Sequence, residues 1–114
     1  MQVISHASIM ALGAFQTKMD MASHNLANMQ TENFSSYITD MEEIPSGGVR
    51  ARVRRQGLME QESPKQNQQE GVPNNDVDVA KELVTMIEAK IGYTANAKMI
   101  KAQASLGDFL DIWA

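Results

Sequence analysis

Few side chains in this sequence have types suited to metal or proton chemistry, and their spacing argues against such a role. His6 and His24 are the two histidines. If both sit on one helix they lie about 27 Å apart, too far to share a metal ion within a chain. Surface or cap positions explain them more simply. There is no cysteine, which removes disulfides, thiolate metal sites and cysteine nucleophiles together. Asp40, Glu42 and Glu43 offer the groups of a general acid and base, but nothing near them in sequence suggests a pocket.

Arg50, Arg52, Arg54 and Arg55 are four of the ten basic residues, a cluster that could follow phosphates or lipid headgroups. The aromatic surface on which single-stranded bases stack is missing, since Phe34 and Tyr37 lie on the preceding run. A formal charge of -4 also opposes general nucleic-acid binding. Pairing of the arginines with the acids before them, or with an acidic neighbouring subunit, accounts for them better. "SGG" is a turn signal and no glycine-rich phosphate loop occurs. The expectation is a chain that is not an enzyme and has no cofactor, no metal and no nucleic-acid partner.

The elements that carry these residues are plain from hydrophobic spacing. Leu12, Phe15, Met19, Ala22, Leu26 and Met29 follow one another by threes and fours, which predicts an amphipathic helix over Ser5 to Met29 with these residues as its seam. From Asp76 or Asp78, either one a good N-cap, a second helix is predicted to run to Trp113. Its stripe is Ala80, Val84, Ile87, Ile91, Ala95, Met99, Ala102, Leu106, Phe109 and Trp113, widened by Leu83, Ile100, Leu110 and Ile112. At about 50 Å this helix is too long for the first one to cover, so part of its apolar face should be left for other chains.

Between the helices, two strand-like runs flank "PSGG" and predict a hairpin. Setting Ile44 opposite Arg50 puts Glu42 opposite Arg52 and Asp40 opposite Arg54, with a loop from Pro45 to Val49. "MEQESPKQNQQEGVPNN" follows and reads as a solvated linker. The fold class expected is therefore mainly α: two long terminal helices in an antiparallel coiled coil with a small β-hairpin insertion. Its parts are an N-terminal helix in 1–33, a short β-rich and linker segment in 34–75, and a C-terminal helix in 76–114. No stretch is apolar enough to span a bilayer, and the N-terminus lacks a Lys/Arg cluster followed by a continuous apolar run.

One stretch breaks the helical pattern. "SHNLANMQTENF", Ser23 to Phe34, places Asn25, Asn28 and Asn33 where a helix should be ending. Asn suits caps and turns, and at a helix interface it costs stability while fixing register. Asn25 and Asn28 are expected to bond a neighbouring helix or exposed carbonyls, and Asn33 can adopt a left-handed conformation.

"MDMASHNLANMQTENF", Met19 to Phe34, resembles the N-terminal signature of the bacterial flagellar axial family of rod and hook proteins. "NDVDVAKELVTMIEAKIGYTANAKMIKAQASLGDFLDI", Asn75 to Ile112, is similar to that family's C-terminal signature, and the pair together looks like a short proximal-rod protein. Lys90 and Ile91 stand where the family has Gln-Arg, and Gly92 where it has Ala. The resemblance implies a structural subunit of the flagellar basal body rod that assembles helically with copies of itself and other rod and hook proteins. It implies export through the flagellar type III apparatus without a cleaved signal peptide, a place in the periplasm-spanning rod, and no membrane insertion. The residues expected at the assembly interface are Leu12, Phe15, Met19, Leu26 and Asn28 on the first helix. On the second they are Val84, Ile87, Ile91, Tyr93, Asn96, Ile100, Leu106, Phe109 and Leu110. The alternative is a soluble helical-hairpin adaptor or export-associated regulator that keeps the helices without polymerising.

Overall fold

Helix-forming residues uninterrupted by proline produce two long helices, and the β-branched, arginine-rich middle produces one hairpin. In the computed structural model, which describes residues 2–56 and 75–113, the order is α1 (Gln2–Ala27), β1 (Tyr37–Glu43), β2 (Val49–Arg55) and α2 (Val79–Trp113). Apart from Asn75, the linker expected over 59–75 lies outside the described residues.

The asparagines end α1 by satisfying its last carbonyls. Asn28 donates from its backbone N–H to the His24 carbonyl at 3.2 Å and from its side chain to the same oxygen at 2.9 Å. The helix stops two residues short of the expected Met29 because Asn28 competes for its own backbone. Asn33 takes a left-handed conformation with φ of 57°, as its side chain permits. The chain then reverses, and buried Phe34 returns to lie 5.8 Å from the His24 ring. From the other half of the chain, the Asn75 side chain donates to the carbonyls of Asn28 at 2.8 Å and Thr31 at 2.7 Å.

Of the two candidate caps of α2, Asp78 is the one used. Its carboxylate accepts from the Lys81 N–H at 3.2 Å. Asp76 instead accepts from the Ser36 N–H at 2.6 Å, which fastens the start of α2 to the chain entering β1.

The hairpin forms in a register shifted by two residues from the expected one. Glu43 pairs with Val49, Glu42 with Arg50 and Asp40 with Arg52. The loop is set one residue earlier, with the Ile44 N–H donating to the Gly48 carbonyl at 2.9 Å and positive φ at Gly47 and Gly48. An even shift keeps every side chain on its face. The anticipated ion pairs therefore survive as diagonals, Glu42 to Arg52 at 3.3 Å and Asp40 to Arg54 at 2.7 Å.

Both strands pack on α1, and α2 packs on α1 as well, while β1 and α2 border one cavity through Tyr37 to Thr39 and Lys81, Glu82 and Thr85. The layers are hairpin, α1, α2. At the hairpin tip, a Cβ on Gly48 would press on the Met10 sulfur of α1 at 2.7 Å.

Candidate assembly surface

Small and polar residues form the joint between the two helices. Asn25 meets Glu82, Phe15 lies on Gly92, and Ser8 donates to the Met99 sulfur at 3.4 Å. α2 positions rise as α1 positions fall, so the helices run in opposite directions. Ser8, Ala11, Ala14, Ala22 and Asn25 are buried on α1, and Glu82 and Ala89 on α2. This corrects the seam expected on α1: Leu12, Met19 and Leu26 are only half-buried, and Met29 lies exposed beyond the helix end. Small side chains let the helix backbones approach more closely than leucines would.

Asn25 is the centre of the joint. It has no exposed surface. Its Nδ2 donates to the Tyr37 carbonyl at 2.8 Å and to Glu82 Oε1 at 3.0 Å, while its Oδ1 accepts from the Tyr37 N–H at 2.8 Å. One side chain thus ties α1, β1 and α2. Burial pushes the Glu82 carboxyl above the usual carboxylate range, and the hydrogen bond from Asn25 opposes that rise. A cavity of about 170 Å³ lies beside it, lined in part by Lys18, Lys81, Thr85 and Thr39. The spacing of the asparagines marked Asn25 as special; nothing in the sequence marked Glu82.

The large apolar stripe of α2 faces away from α1. Val84 is 53% exposed, Ile87 60%, Ile91 64%, Leu106 53%, Phe109 57% and Leu110 55%. Tyr93 is exposed, whereas Ile100 is half-buried and Asn96 donates to the Gly92 carbonyl of its own helix at 2.8 Å. On α1, Phe15 is half-buried against Gly92, and Asn28 caps its own helix. The structure therefore leaves seven of the α2 candidates exposed and Asn96 and Ile100 half-buried, while of the α1 candidates it sets Phe15 against Gly92 in the intramolecular joint. Among the described residues, fifteen large apolar side chains are exposed, and eleven of them belong to α2 between Leu83 and Trp113, far more than the scattered single residues usual on a protein surface. Among the described residues no helix is long and apolar enough to cross a membrane.

Comparison with known families agrees with both ends of the chain. Residues 7–34 match the family model described as flagella basal body rod protein. Residues 74–110 match the model described as flagellar basal body rod FlgEFG protein C-terminal. The two matches fall on α1 with its exit turn and on α2, in that order, and together span more than half of the chain.

The chain belongs to the flagellar basal body rod protein family.

A search of the curated proteins found no match. Rod-family membership supports a place in the flagellar basal body and a part in motility, suggests a structural subunit, and suggests assembly with other flagellar rod proteins. The matched families are structural and not enzymes. The hairpin, Tyr37 to Arg55, falls between the two matched segments.

Proposed function

We propose that this rod-family chain is a structural subunit that assembles helically, through its terminal helices, with copies of itself and with other rod and hook proteins. The observation that carries the reading is the number of large apolar side chains that α2 leaves exposed, among them Val84, Ile87, Ile91, Leu106, Phe109 and Leu110. Burying them releases about 25 cal/mol for each Å² removed from water. Contacts between two different patches do not close on themselves, so they propagate. In this reading α1 and α2 form an antiparallel coiled coil that lines the inner tube, and the hairpin faces outward. Val84, Ile87, Ile91, Tyr93, Leu106, Phe109 and Leu110 meet neighbouring copies, while Leu12, Phe15, Met19, Leu26, Asn28, Asn96 and Ile100 shape the coil that presents them. The same reading includes export through the flagellar type III apparatus to a periplasm-spanning rod.

Light scattering across a concentration series, with circular dichroism on the same samples, tests this. Open-ended growth is expected, and Ile87→Asp should stop it while leaving helix content within a tenth of the parent's. A parent that stops at a concentration-independent dimer would overturn the reading and favour a soluble adaptor.

A further inference from the structure

α2 changes sign along its length. Between Ala89 and Lys101 it carries Lys90, Lys98 and Lys101 and no acid; between Ala102 and Trp113 it carries Asp108 and Asp111 and no base. The basic part holds a shallow, mainly apolar groove of about 370 Å³ lined by Lys90, Ile91, Thr94, Ala95 and Lys98. The acidic part holds the aromatic pair Phe109 and Trp113, with ring centroids 6.1 Å apart and Trp113 77% exposed.

The helix register leaves the acidic part projecting. Contacts of Asn25 with Glu82, Phe15 with Gly92 and Ser8 with Met99 set Gln2, the first residue of α1, level with Ser105. Leu106 to Trp113 extend past it by about two turns. Asp111 also stands in the last turn of α2, where no basic residue offsets the partial negative charge of the helix end. A carboxylate in that turn is unfavourable in a lone chain, and Asp111 and Asp108 together are favourable beside a cation. The chain's own lysine groove is out of reach, because Ile91 and Trp113 are fixed about 33 Å apart on one helix.

We propose that the acidic, aromatic end of α2 in one copy seats in the Lys90 to Lys98 groove of a second copy. This rests on the structural-subunit reading and names the two surfaces that join. Phe109 and Trp113 are the anchors, as buried aromatic residues commonly are, and the charges set the polarity of the joint. Each added copy leaves one groove and one end free, so the joint repeats.

Charge exchange in the full chain tests the joint. K90E/K98E and D108K/D111K should each reduce elongation at least tenfold with helix content unchanged, and mixing the two variants should restore it. The chain has no cysteine, so single cysteines at Thr94 and Ile112 report geometry directly. A mixture of the two cysteine variants should give mainly 94-to-112 cross-links. Elongation indifferent to the exchanges, or a predominance of 94-to-94 and 112-to-112 links, would overturn the joint alone. A parent chain that does not grow overturns the subunit reading beneath it.

Discussion

α1 and α2 are built from the same kinds of residues at the same spacing, yet they are used in opposite ways. α1 is the middle layer, held by the hairpin on one side and α2 on the other. α2 is held on one side and turns its largest apolar residues outward. What decides between them is the size of the side chains at the joint: Ser8, Ala11, Ala22 and Asn25 against Glu82, Ala89 and Gly92. Residues this small fill little of the space between helices unless the backbones come close. A close joint leaves the bulky residues of α2 no place except the outer face. The difference teaches that amphipathic spacing identifies a helix with an apolar face, while the partner of that face is a separate matter.

If α1 is the pinned helix, the sharpest test is its pin. Asn25→Ala removes three hydrogen bonds and leaves Glu82 and the Tyr37 amide and carbonyl without that partner. Each buried polar group so stranded costs about 1–3 kcal/mol. Urea unfolding should therefore show a loss of about 3 kcal/mol or more. A loss below about 1 kcal/mol would mean that the joint is held elsewhere.

A smaller effect probes the close approach. A Cβ at position 92 would run into the Phe15 ring, so Gly92→Ala sets overpacking of about 1–3 kcal/mol against the roughly 1 kcal/mol that alanine gains in a helix. Net destabilisation of about 1 kcal/mol is expected, and Phe15→Leu in the Gly92→Ala background should recover most of it. Stabilisation by the full helix-propensity gain would show that the helices are not pressed together here.

The smallest effect is in pH dependence. Burial raises the Glu82 carboxyl, so its contribution to stability is greatest below the ordinary carboxylate value and is lost as pH rises through the raised value. Glu82→Gln, which keeps an oxygen for Asn25, should be more stable than the parent at neutral pH, with the gain disappearing in acid. Glu42 behaves in the opposite sense. Hydrogen bonds from Arg52 and Arg50 lower its carboxyl, so its contribution holds above the ordinary value and is lost as pH falls through the lowered one. Denaturation midpoints measured from pH 3 to 8 separate the two, and a Glu82→Gln curve parallel to the parent's would refute the role given to Glu82.

Much of the fold was legible because local signals agreed. The two helices, the hairpin and its charge pairs, an aspartate cap at either Asp76 or Asp78 and the left-handed turn at Asn33 all follow from spacing and residue type, and the structure chose Asp78 as the cap. The hairpin register did not, since a two-residue slip preserves both faces and the same ion pairs. Asn25 was conspicuous as an asparagine in an apolar helix, but its three bonds join residues far apart in the chain.

By itself, then, the sequence determined the elements and the family, because these rest on contacts within a few residues and on motifs that survive in linear order. The tertiary structure alone decided which face of α2 meets α1. Periodicity favours the face with the largest side chains, but close packing favoured the face with the smallest, and Gly92 under Phe15 shows how near the two backbones come. It also decided that Glu82 is buried and that the acidic end of α2 reaches past α1, since both depend on the register between helices that join only through space.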